Sequence, residues 1–332
     1  MVLPSAALSG IGSYLPETVV GNDQVGKRIG RPSDWILTRT GIAERRLAAP
    51  DESTSDLAVR AGEAALRSAG IPAPGAVLLA TSTPDQLCPA TAPAVAARLG
   101  AASVFALDLA AACSGFVYAL AVAASLVRTG LADDVLVIGA DKYSTLVDPH
   151  CPTTGMLFGD GAGAVVVHAA EPGAPGALEH FDLHSDGAQA HLVGVEAGGA
   201  RRRDPGEDPR SRYLTMSGRE IYRHAVSAMT DSTLTVTDRA GWTLSEIDRL
   251  VPHQANARII SAVGKRLGLP EDRSVLNIGE VGNTVAASVP LALAHAVRTN
   301  QLVGGERIVV TAFGAGLTWG SAALVWPKLT LA

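Results

Sequence analysis

The chain has 332 residues, 47% of them hydrophobic and only 4% aromatic, so a large core must be built mainly from Ala, Val and Leu. The net charge of −5 gives no general attraction for nucleic acid or for a membrane surface. No apolar run reaches the roughly 18 residues of a membrane span, and the first basic residue is Lys27, so we expect no signal peptide and a cytoplasmic protein.

The first predicted unit of strands and helices surrounds a cysteine. Its segment 77–101 is typical of a strand, a polar turn and a helix ending in Arg-Leu-Gly. A short apolar strand is predicted at 104–109, after which small residues around Cys113 open an Ala-rich helix. Arg-Thr-Gly at 128–130 and a strand at 135–140 end the unit.

A second unit repeats this order. Its segment 249–269 predicts a strand, a polar turn with His253 and a helix that again ends in Arg-Leu-Gly. A strand is predicted at 274–279, before Asn283 and a second Ala-rich helix, and a last strand at 307–314. Because the same order occurs twice at long spacing, the sequence predicts a duplicated α/β unit rather than a solenoid.

The pattern also predicts how the chain divides. Continuous apolar strands that alternate with helices indicate mostly parallel sheets, buried on both faces. The Pro/Gly-rich segment 171–176 breaks regular structure, so we expect an N-terminal half at 1–172 and a C-terminal half at 173–332. The segment 184–212, rich in Gly, Pro and charge, is predicted to be an exposed excursion near the site.

Cys113 is the strongest candidate for a functional residue. With Cys88 and Cys151 it forms neither a zinc pattern nor a disulfide framework. At a strand-to-helix turn, backbone N–H groups and the helix dipole would lower the pKa of its thiol and favour a nucleophilic thiolate. Small neighbours such as Gly115 would let a substrate approach. The alternative is a buried structural cysteine.

His253 and Asn283 are candidates at corresponding turns. Like Cys113, each is predicted to follow the carboxyl end of a strand, where open α/β sheets place their sites. Taken alone, His253 is equally typical of a hydrogen-bonded core residue, and Asn283 of a turn or a helix N-cap. The repeat, however, puts Asn283 where the first unit has Cys113, with His253 between them.

Long segments of the chain resemble one known family. In chain order they are DWILTRTGIAERR (34–46), AAACSGFVYAL (110–120), LFGDGAGAVVV (157–167), MSGREIYRHAV (216–226), VPHQANARII (251–260), GNTVAASVPLAL (282–293) and FGAGLTWGSA (313–322). They resemble the β-ketoacyl-acyl-carrier-protein synthase III family of the thiolase-like superfamily over nearly the whole chain. The resemblance implies a duplicated α/β thiolase-like fold, with two pseudo-equivalent halves in an α-β-α-β-α arrangement of layers.

The resemblance also implies a chemistry. Cys113 would accept the acyl group of an acyl-CoA, with the backbone N–H groups of Cys113 and Gly316 as oxyanion donors. His253 and Asn283 would stabilise the enolate formed when malonyl-acyl-carrier protein loses CO2, and the new C–C bond would start a fatty-acid or polyketide chain. The implied partners are acyl-CoA, acyl-carrier protein and a second copy of the chain in a homodimer. Neither a metal nor another cofactor is implied.

Further residues match family positions that bind substrate or carrier. Trp35 and Arg39 would contact the adenine nucleotide of CoA, although an ordinary amphipathic helix would look the same. Residues 158–163, FGDGAG, lack the order of a phosphate-binding loop and are interpreted as a structural turn. Four basic residues would contact the acidic carrier protein or the pantetheine phosphate, with a solvated helix face as the alternative: Arg223, Arg258, Lys265 and Arg266.

Two positions depart from the family pattern. Cys88-Pro89 stands where many relatives have Phe before the proline. By resemblance, that side chain reaches into the acyl pocket of the partner subunit, so Cys88 would enlarge or reshape the pocket. Cys151-Pro152 stands where an Asp-Arg pair commonly helps to hold CoA. Both departures indicate an enzyme specialised for one pathway.

Two other functions remain open at this point. The acyl group on Cys113 could pass to an alcohol or amine in secondary metabolism, which would make the protein an O- or N-acyltransferase. Retention of both His253 and Asn283 favours condensation, because simple acyl transfer needs a base but no enolate-stabilising amide. The third hypothesis is a non-catalytic subunit that binds carrier protein, and the intact Cys113 argues against it.

Overall fold

The computed structural model describes residues 5–101 and 103–332. The strands are β1 (Ser5–Tyr14), β2 (Thr18–Gly21), β3 (Glu44–Leu47), β4 (Ala76–Ala80), β5 (Phe105–Leu109), β6 (Asp134–Asp141), β7 (Gly161–Ala170), β8 (His180–Ser185), β9 (Val193–Gly194), β10 (Thr215–Met216), β11 (Arg249–Pro252), β12 (Arg307–Gly314) and β13 (Thr318–Val325). The α-helices are α1 (Asn22–Ile29), α2 (Ser33–Thr40), α3 (Thr54–Ala69), α4 (Ala92–Arg98), α5 (Gly115–Arg128), α6 (Gly218–Arg239), α7 (Ala257–Leu267), α8 (Ile278–Val281) and α9 (Ser288–Arg298).

Two sheets organise the chain, and both are mixed. The first has the strand order β1-β7-β6-β4-β5, with parallel pairing only of β4 to β5 and β6. The second has the order β11-β12-β13-β8, with parallel pairing only of β11 and β12. The expectation of mostly parallel sheets is therefore wrong. Links as short as the one from Gly314 to Thr318 allow antiparallel pairing, whereas parallel strands need a long crossover.

The layers follow from the apolar faces of the helices. Ala-rich α5 and α9 lie between the two sheets and form one buried cluster with residues of both, such as Leu78 and Val310. Helices α3 and α4 pack on the outer face of the first sheet, and α6 and α7 pack on the outer face of the second. This α-β-α-β-α arrangement confirms the predicted fold class.

The repeat seen in the sequence is a repeat of structure. The strand β4 begins at Ala76 and β11 at Arg249, 173 residues later, and the same spacing separates the starts of α5 and α9 and of β6 and β12. The strand predicted at 274–279 is absent, which corrects that expectation. The segment makes a single bridge, between Leu250 and Ser274. Its chain then turns into α8 because the side-chain oxygen of Gln254 accepts the backbone N–H groups of Asn277 and Ile278.

In the sequence, residues 171–179 separate the strands of the two sheets. All strands of the first sheet come before this segment, and all strands of the second sheet come after it. The exact limits of the two halves stay a prediction. The segment 184–212 carries the end of β8 and then β9, which pairs with β10. Within it, Val193 lines the cavity described below. No helix in the described ranges has the length and hydropathy to cross a membrane.

Candidate active site

Cys113 lies in a single 3-10 turn, Ala112–Ser114, between the end of β5 and the start of α5. Ala112 has a positive φ of 45°, which bends the chain sharply before the cysteine. The turn is held by Ser114, whose N–H donates to the carbonyl of Ala111 at 3.1 Å and whose hydroxyl donates to Thr318 Oγ1 at 2.7 Å. A Cβ placed on Gly314 would lie 2.7 Å from the backbone nitrogen of Cys113. The end of β12 therefore supports the nucleophile turn directly.

The environment of Cys113 changes its expected ionisation. Burial and the nearby charge of Asp141 raise the pKa of the Cys113 thiol to about 12, although a hydrogen bond from its own backbone N–H opposes them. The sequence predicted a lowered pKa from the helix start, and that expectation is wrong. Desolvation in an apolar surrounding disfavours the thiolate more than the local dipoles favour it.

His253 follows β11 and is held in place by backbone contacts. Its N–H donates to the carbonyl of Thr311 in β12 at 2.8 Å, and its side chain is 2% exposed. Burial lowers the pKa of His253 to about 3, so the ring is neutral at pH 7. Its Nδ1 is buried without a hydrogen-bond partner among the described residues. Because Nδ1 is fully buried, Nε2 is the ring nitrogen that can meet a molecule in the cavity.

Asn283 does not follow a strand, because α8 replaces the predicted one. Its backbone instead forms an isolated parallel bridge with Phe158. The N–H of Asn283 donates to the carbonyl of Leu157 at 2.8 Å, and its carbonyl accepts the N–H of Gly159 at 3.0 Å. Its side-chain oxygen accepts the N–H of Val285 at 3.0 Å. Since the oxygen is engaged, the Nδ2 amide is the group left to donate.

The prediction that the repeat puts Asn283 at the position of Cys113 is wrong. Val285 has a φ of 53° and opens a 3-10 turn directly before α9, as Ala112 does before α5. With the 173-residue spacing, Cys113 corresponds to Ala286. Asn283 lies three residues before that point, so the amide and the thiol come from different positions of the repeat.

One cavity of about 680 Å³ brings the three residues together. Cys113, His253 and Asn283 all line it, although they come from three separate segments of the chain. One end of the cavity is formed by exposed or half-buried cationic side chains around Trp35. The Arg39 guanidinium lies 4.5 Å and the Arg31 guanidinium 5.3 Å from the centre of the Trp35 ring. Arg258 joins them, with a guanidinium N–H that donates to the carbonyl of Thr38 at 2.9 Å.

Comparisons with known proteins fit this arrangement. Residues 107–195 match the family model of 3-oxoacyl-(acyl-carrier-protein) synthase III, and residues 237–326 match the model of its C-terminal part. Two curated relatives are a β-ketoacyl-(acyl-carrier-protein) synthase III of Pseudomonas aeruginosa, 51% identical over 98% of each chain, and the synthase III 2 of Streptomyces coelicolor, 50% identical over 97% of this chain and 94% of that one. A crystal structure of the synthase III from Pseudomonas aeruginosa has a TM-score of 0.93 at 50% identity, covering 98% of this chain and 99% of that one.

The chain belongs to the 3-oxoacyl-(acyl-carrier-protein) synthase III family. It is an enzyme of the β-ketoacyl-acyl-carrier-protein synthase III type, which confirms the resemblance found in the sequence. A priming β-ketosynthase of a polyketide pathway is also similar, with a TM-score of 0.90 at 34% identity over 99% of each chain.

Several residues predicted for this synthase lie outside the cavity. Gly316 lies in the link between β12 and β13, next to the cavity-lining Ala315. Arg223 is exposed on α6, and Lys265 and Arg266 are exposed at the end of α7. Cys88 is also exposed. Of the two departures from the family pattern, only Pro152 lines the cavity.

The turn at 158–163 has a structural role in this synthase. The N–H of Asp160 donates to the carbonyl of Arg46 at 2.8 Å, and its carboxylate accepts the N–H groups of Ser144 and Ala48. The N–H groups of Gly159 and Asp160 both donate to backbone carbonyls, which supports the interpretation as a structural turn.

Sequence reasoning missed three residues around the synthase cavity. Arg31 and Tyr143 line it, and Asp141 lies buried beside Cys113. The position of Asp141 at the end of the strand predicted over 135–140 was the one available signal, because strand ends carry site residues in such folds. Nothing in the local pattern distinguished Tyr143 from an ordinary core aromatic.

Proposed function

We propose that Cys113 carries the acyl group and that His253 and Asn283 activate the second substrate in a decarboxylating condensation. The observation that carries this proposal is the single cavity lined by the Cys113 thiol, the His253 ring and the Asn283 side chain, whose amide nitrogen is left free to donate. The condensation joins an acyl group from acyl-CoA to malonyl-acyl-carrier protein and so starts a fatty-acid or polyketide chain.

The first step transfers the acyl group to Cys113. Its sulfur attacks the thioester carbonyl, the C–S bond to CoA breaks, and the proton lost by Cys113 leaves with CoA as its thiol. Backbone N–H groups of Cys113 and Gly316 are proposed to hold the tetrahedral oxyanion. In support, the N–H of Gly316 makes no hydrogen bond to any acceptor in the described part of the chain.

The second step forms the new C–C bond. The malonyl group loses CO2, and the electron pair of the broken bond forms a thioester enolate. Nε2–H of His253 and Nδ2–H of Asn283 donate to the enolate oxygen, which a neutral histidine can do at pH 7. The enolate carbon attacks the acyl-Cys113 carbonyl. The C–S bond breaks, and the Cys113 thiolate that leaves takes a proton from water. No step needs a metal or an organic cofactor.

We further propose that acyl-carrier protein docks beside the cationic end of the cavity. Ile221 and Tyr222 of α6 line the cavity, which places the exposed Arg223 near its rim. Arg258 lies in the first turn of α7, with Lys265 and Arg266 about 10 Å further along the same helix. An acidic carrier would meet positive charge along both helices.

A homodimer in the cytoplasm completes the proposal. The half-exposed strand β5 forms one edge of the first sheet, so a second copy could extend that sheet across a two-fold axis. Leu87, beside Cys88, is 88% exposed, as expected for a loop that a partner subunit would cover.

Three variants test the catalytic assignment by mass spectrometry of the intact protein with acyl-CoA. Cys113→Ala should acquire no acyl adduct. His253→Ala and Asn283→Ala should still become acylated but lose decarboxylation of malonyl-acyl-carrier protein, each by about 10²–10³-fold. His295→Ala, a half-buried histidine on α9 outside the cavity lining, is the control.

Two outcomes would contradict the assignment. An adduct on Cys88 or Cys151 in the Cys113→Ala variant would identify another nucleophile. Wild-type decarboxylation by Asn283→Ala would argue for transfer of the acyl group to an alcohol or amine instead.

A further inference from the structure

The buried end of the cavity contains a polar group that has no protein partner. Tyr143, just after β6, lines the cavity and is only 6% exposed. Its neighbours in the chain are all engaged, because Lys142 donates to the carbonyl of Ala49, Ser144 to Asp160 and Thr145 to the carbonyl of Lys142. Among the described residues, none accepts a hydrogen bond from the Tyr143 hydroxyl. This hydroxyl is not among the fully buried side-chain atoms without a partner, so it is open to the cavity, where a bound molecule can supply the acceptor.

The surroundings of Tyr143 are otherwise apolar. Its ring lies 4.7 Å from that of Phe158, and it packs in one cluster with Val147, Leu214 and Val285. Cys113 packs against this same cluster. Burial raises the pKa of Tyr143, and the nearby Cys113 and Asp141 raise it further, so the hydroxyl stays protonated and can donate a hydrogen bond.

Cys113 packs against the Tyr143 cluster, whereas the cationic residues that line the same cavity are exposed, and this difference gives a bound acyl-CoA one direction. The anionic nucleotide of CoA would lie at the cationic end, with Arg39 and Arg258. When the thioester carbonyl is at Cys113, the acyl group then extends toward the buried end, where Tyr143 lies.

We propose that Tyr143 is a specificity-determining residue whose hydroxyl donates a hydrogen bond to a neutral oxygen of the acyl group. The preferred starter is then an oxygenated acyl thioester, with a keto, hydroxy or ether oxygen, rather than a plain alkyl one. The inference rests on the proposed function, because it takes Cys113 as the acyl acceptor.

The charges around this end favour a neutral oxygen over a carboxylate. The buried carboxyl group of Asp141 acts on Tyr143 electrostatically and would repel an anion when charged. The ammonium group of Lys142 is directed at three backbone carbonyls, those of Ala49, Pro50 and Glu52. A carboxylate on the acyl group would therefore be buried without a positive partner, which is costly.

The test compares acyl-CoAs of matched length that differ in one oxygen. The rate of Cys113 acylation is measured by mass spectrometry for butanoyl- against 3-oxobutanoyl-CoA, and for hexanoyl- against 3-, 4- and 5-oxohexanoyl-CoA. One hydrogen bond should favour at least one oxo compound over its alkyl counterpart by roughly 2- to 10-fold in the wild type. Tyr143→Phe, which keeps the ring, should abolish that preference.

Tyr118→Phe is the matched control, because the Tyr118 hydroxyl donates to the carbonyl of His184 at 2.6 Å and does not line the cavity. This control should keep the wild-type ratio of oxo to alkyl rates. Equal rates for oxo and alkyl compounds in the wild type, or an unchanged ratio in Tyr143→Phe, would overturn the inference while Cys113 acylation still supported the proposed function. Absence of Cys113 acylation by every compound would instead overturn the proposed function. Thermal unfolding of Tyr143→Phe checks that the variant is folded.

Discussion

The carboxylate of Asp141, at the end of β6, accepts the backbone N–H of Ala286 at 2.9 Å and so joins the first half of the chain to the turn before α9. Its other oxygen accepts the N–H of Ser82 at 2.7 Å. Burial raises the pKa of Asp141 to about 7, although these hydrogen bonds favour the charged form. The charge of Asp141 also raises the pKa of Cys113. The residue that holds the two halves together therefore also affects the ionisation of the nucleophile.

Asp141→Asn should destabilise the protein in a pH-dependent way. Both oxygens of Asp141 accept backbone N–H groups, so the NH2 group of an asparagine would face one of these donors and lose that hydrogen bond. At pH 5 we therefore expect the free energy of unfolding to fall by about 1–3 kcal/mol. The pKa of Asp141 is raised in the folded state, so its contribution to wild-type stability is fully present below pH 4 and is lost as the pH rises through 7. The deficit of the variant should therefore narrow between pH 5 and 8.

Urea unfolding at several pH values measures this deficit. Asp134→Asn, at the half-buried start of the same strand, is the control and should show a small deficit at every pH. A deficit that grows with pH would mean that Asp141 is stabilised in its charged form.

Alkylation should separate the ionisation of Cys113 from that of Cys151. Because the pKa of Cys113 is raised to about 12, its reaction with iodoacetamide should rise about tenfold per pH unit from pH 6.5 to 9.5. Partial burial opposes the thiolate of Cys151, but hydrogen bonds with Thr153 and Thr154 lower its pKa to about 7, so its reaction should level off above about pH 8. Peptide mass spectrometry follows both cysteines in one sample.

Asp141→Asn provides an internal check on this experiment, because removal of the charge should move the Cys113 curve to lower pH. A plateau for Cys113 near pH 6 in the wild type would show that the dipole of α5 outweighs burial.

Gly314→Ala should slow acylation of Cys113. The added Cβ would lie 2.7 Å from the nitrogen of Cys113 and 3.0 Å from that of Ser114, so the nucleophile turn must shift. We expect at least a tenfold lower acylation rate and a loss of about 1–3 kcal/mol in stability. Gly21→Ala, where a Cβ meets nothing within 4 Å, should match the wild type in both measurements. Unchanged acylation in Gly314→Ala would mean that the end of β12 does not support the nucleophile turn.

Cys88→Phe tests whether this exposed side chain lines the acyl pocket of a partner subunit. If it does, the added ring should exclude longer acyl groups progressively and leave acetyl-CoA nearly unaffected. Each methylene group that no longer fits should cost about 1–3 kcal/mol in transition-state binding. The measurement is kcat/KM for acetyl-, butyryl-, hexanoyl- and branched acyl-CoA. Leu131→Phe, at another exposed apolar position, is the control.

Light scattering at micromolar concentration provides the companion measurement, since a shared pocket requires a dimer. Parallel changes of kcat/KM across all chain lengths, or a monomeric protein, would contradict the role of Cys88.

The sequence by itself determined the fold family and the three central residues of the candidate site. Cys113, His253 and Asn283 stand in long segments whose order matches one family, and each lies at a turn that the local pattern marks. The repeat of helices and strands was also visible, because Ala-rich helices and apolar strands have periods that can be read without tertiary contacts.

Only the tertiary structure decided how these residues behave. The pKa of Cys113 depends on burial and on Asp141, which lies on a different strand, so a local helix-start argument had the wrong sign. The correspondence of Cys113 with Ala286, and not Asn283, follows from backbone dihedral angles at Ala112 and Val285. The unpartnered hydroxyl of Tyr143 likewise becomes visible only when the cavity is assembled, because burial and hydrogen-bond satisfaction are set by contacts between residues far apart in the chain.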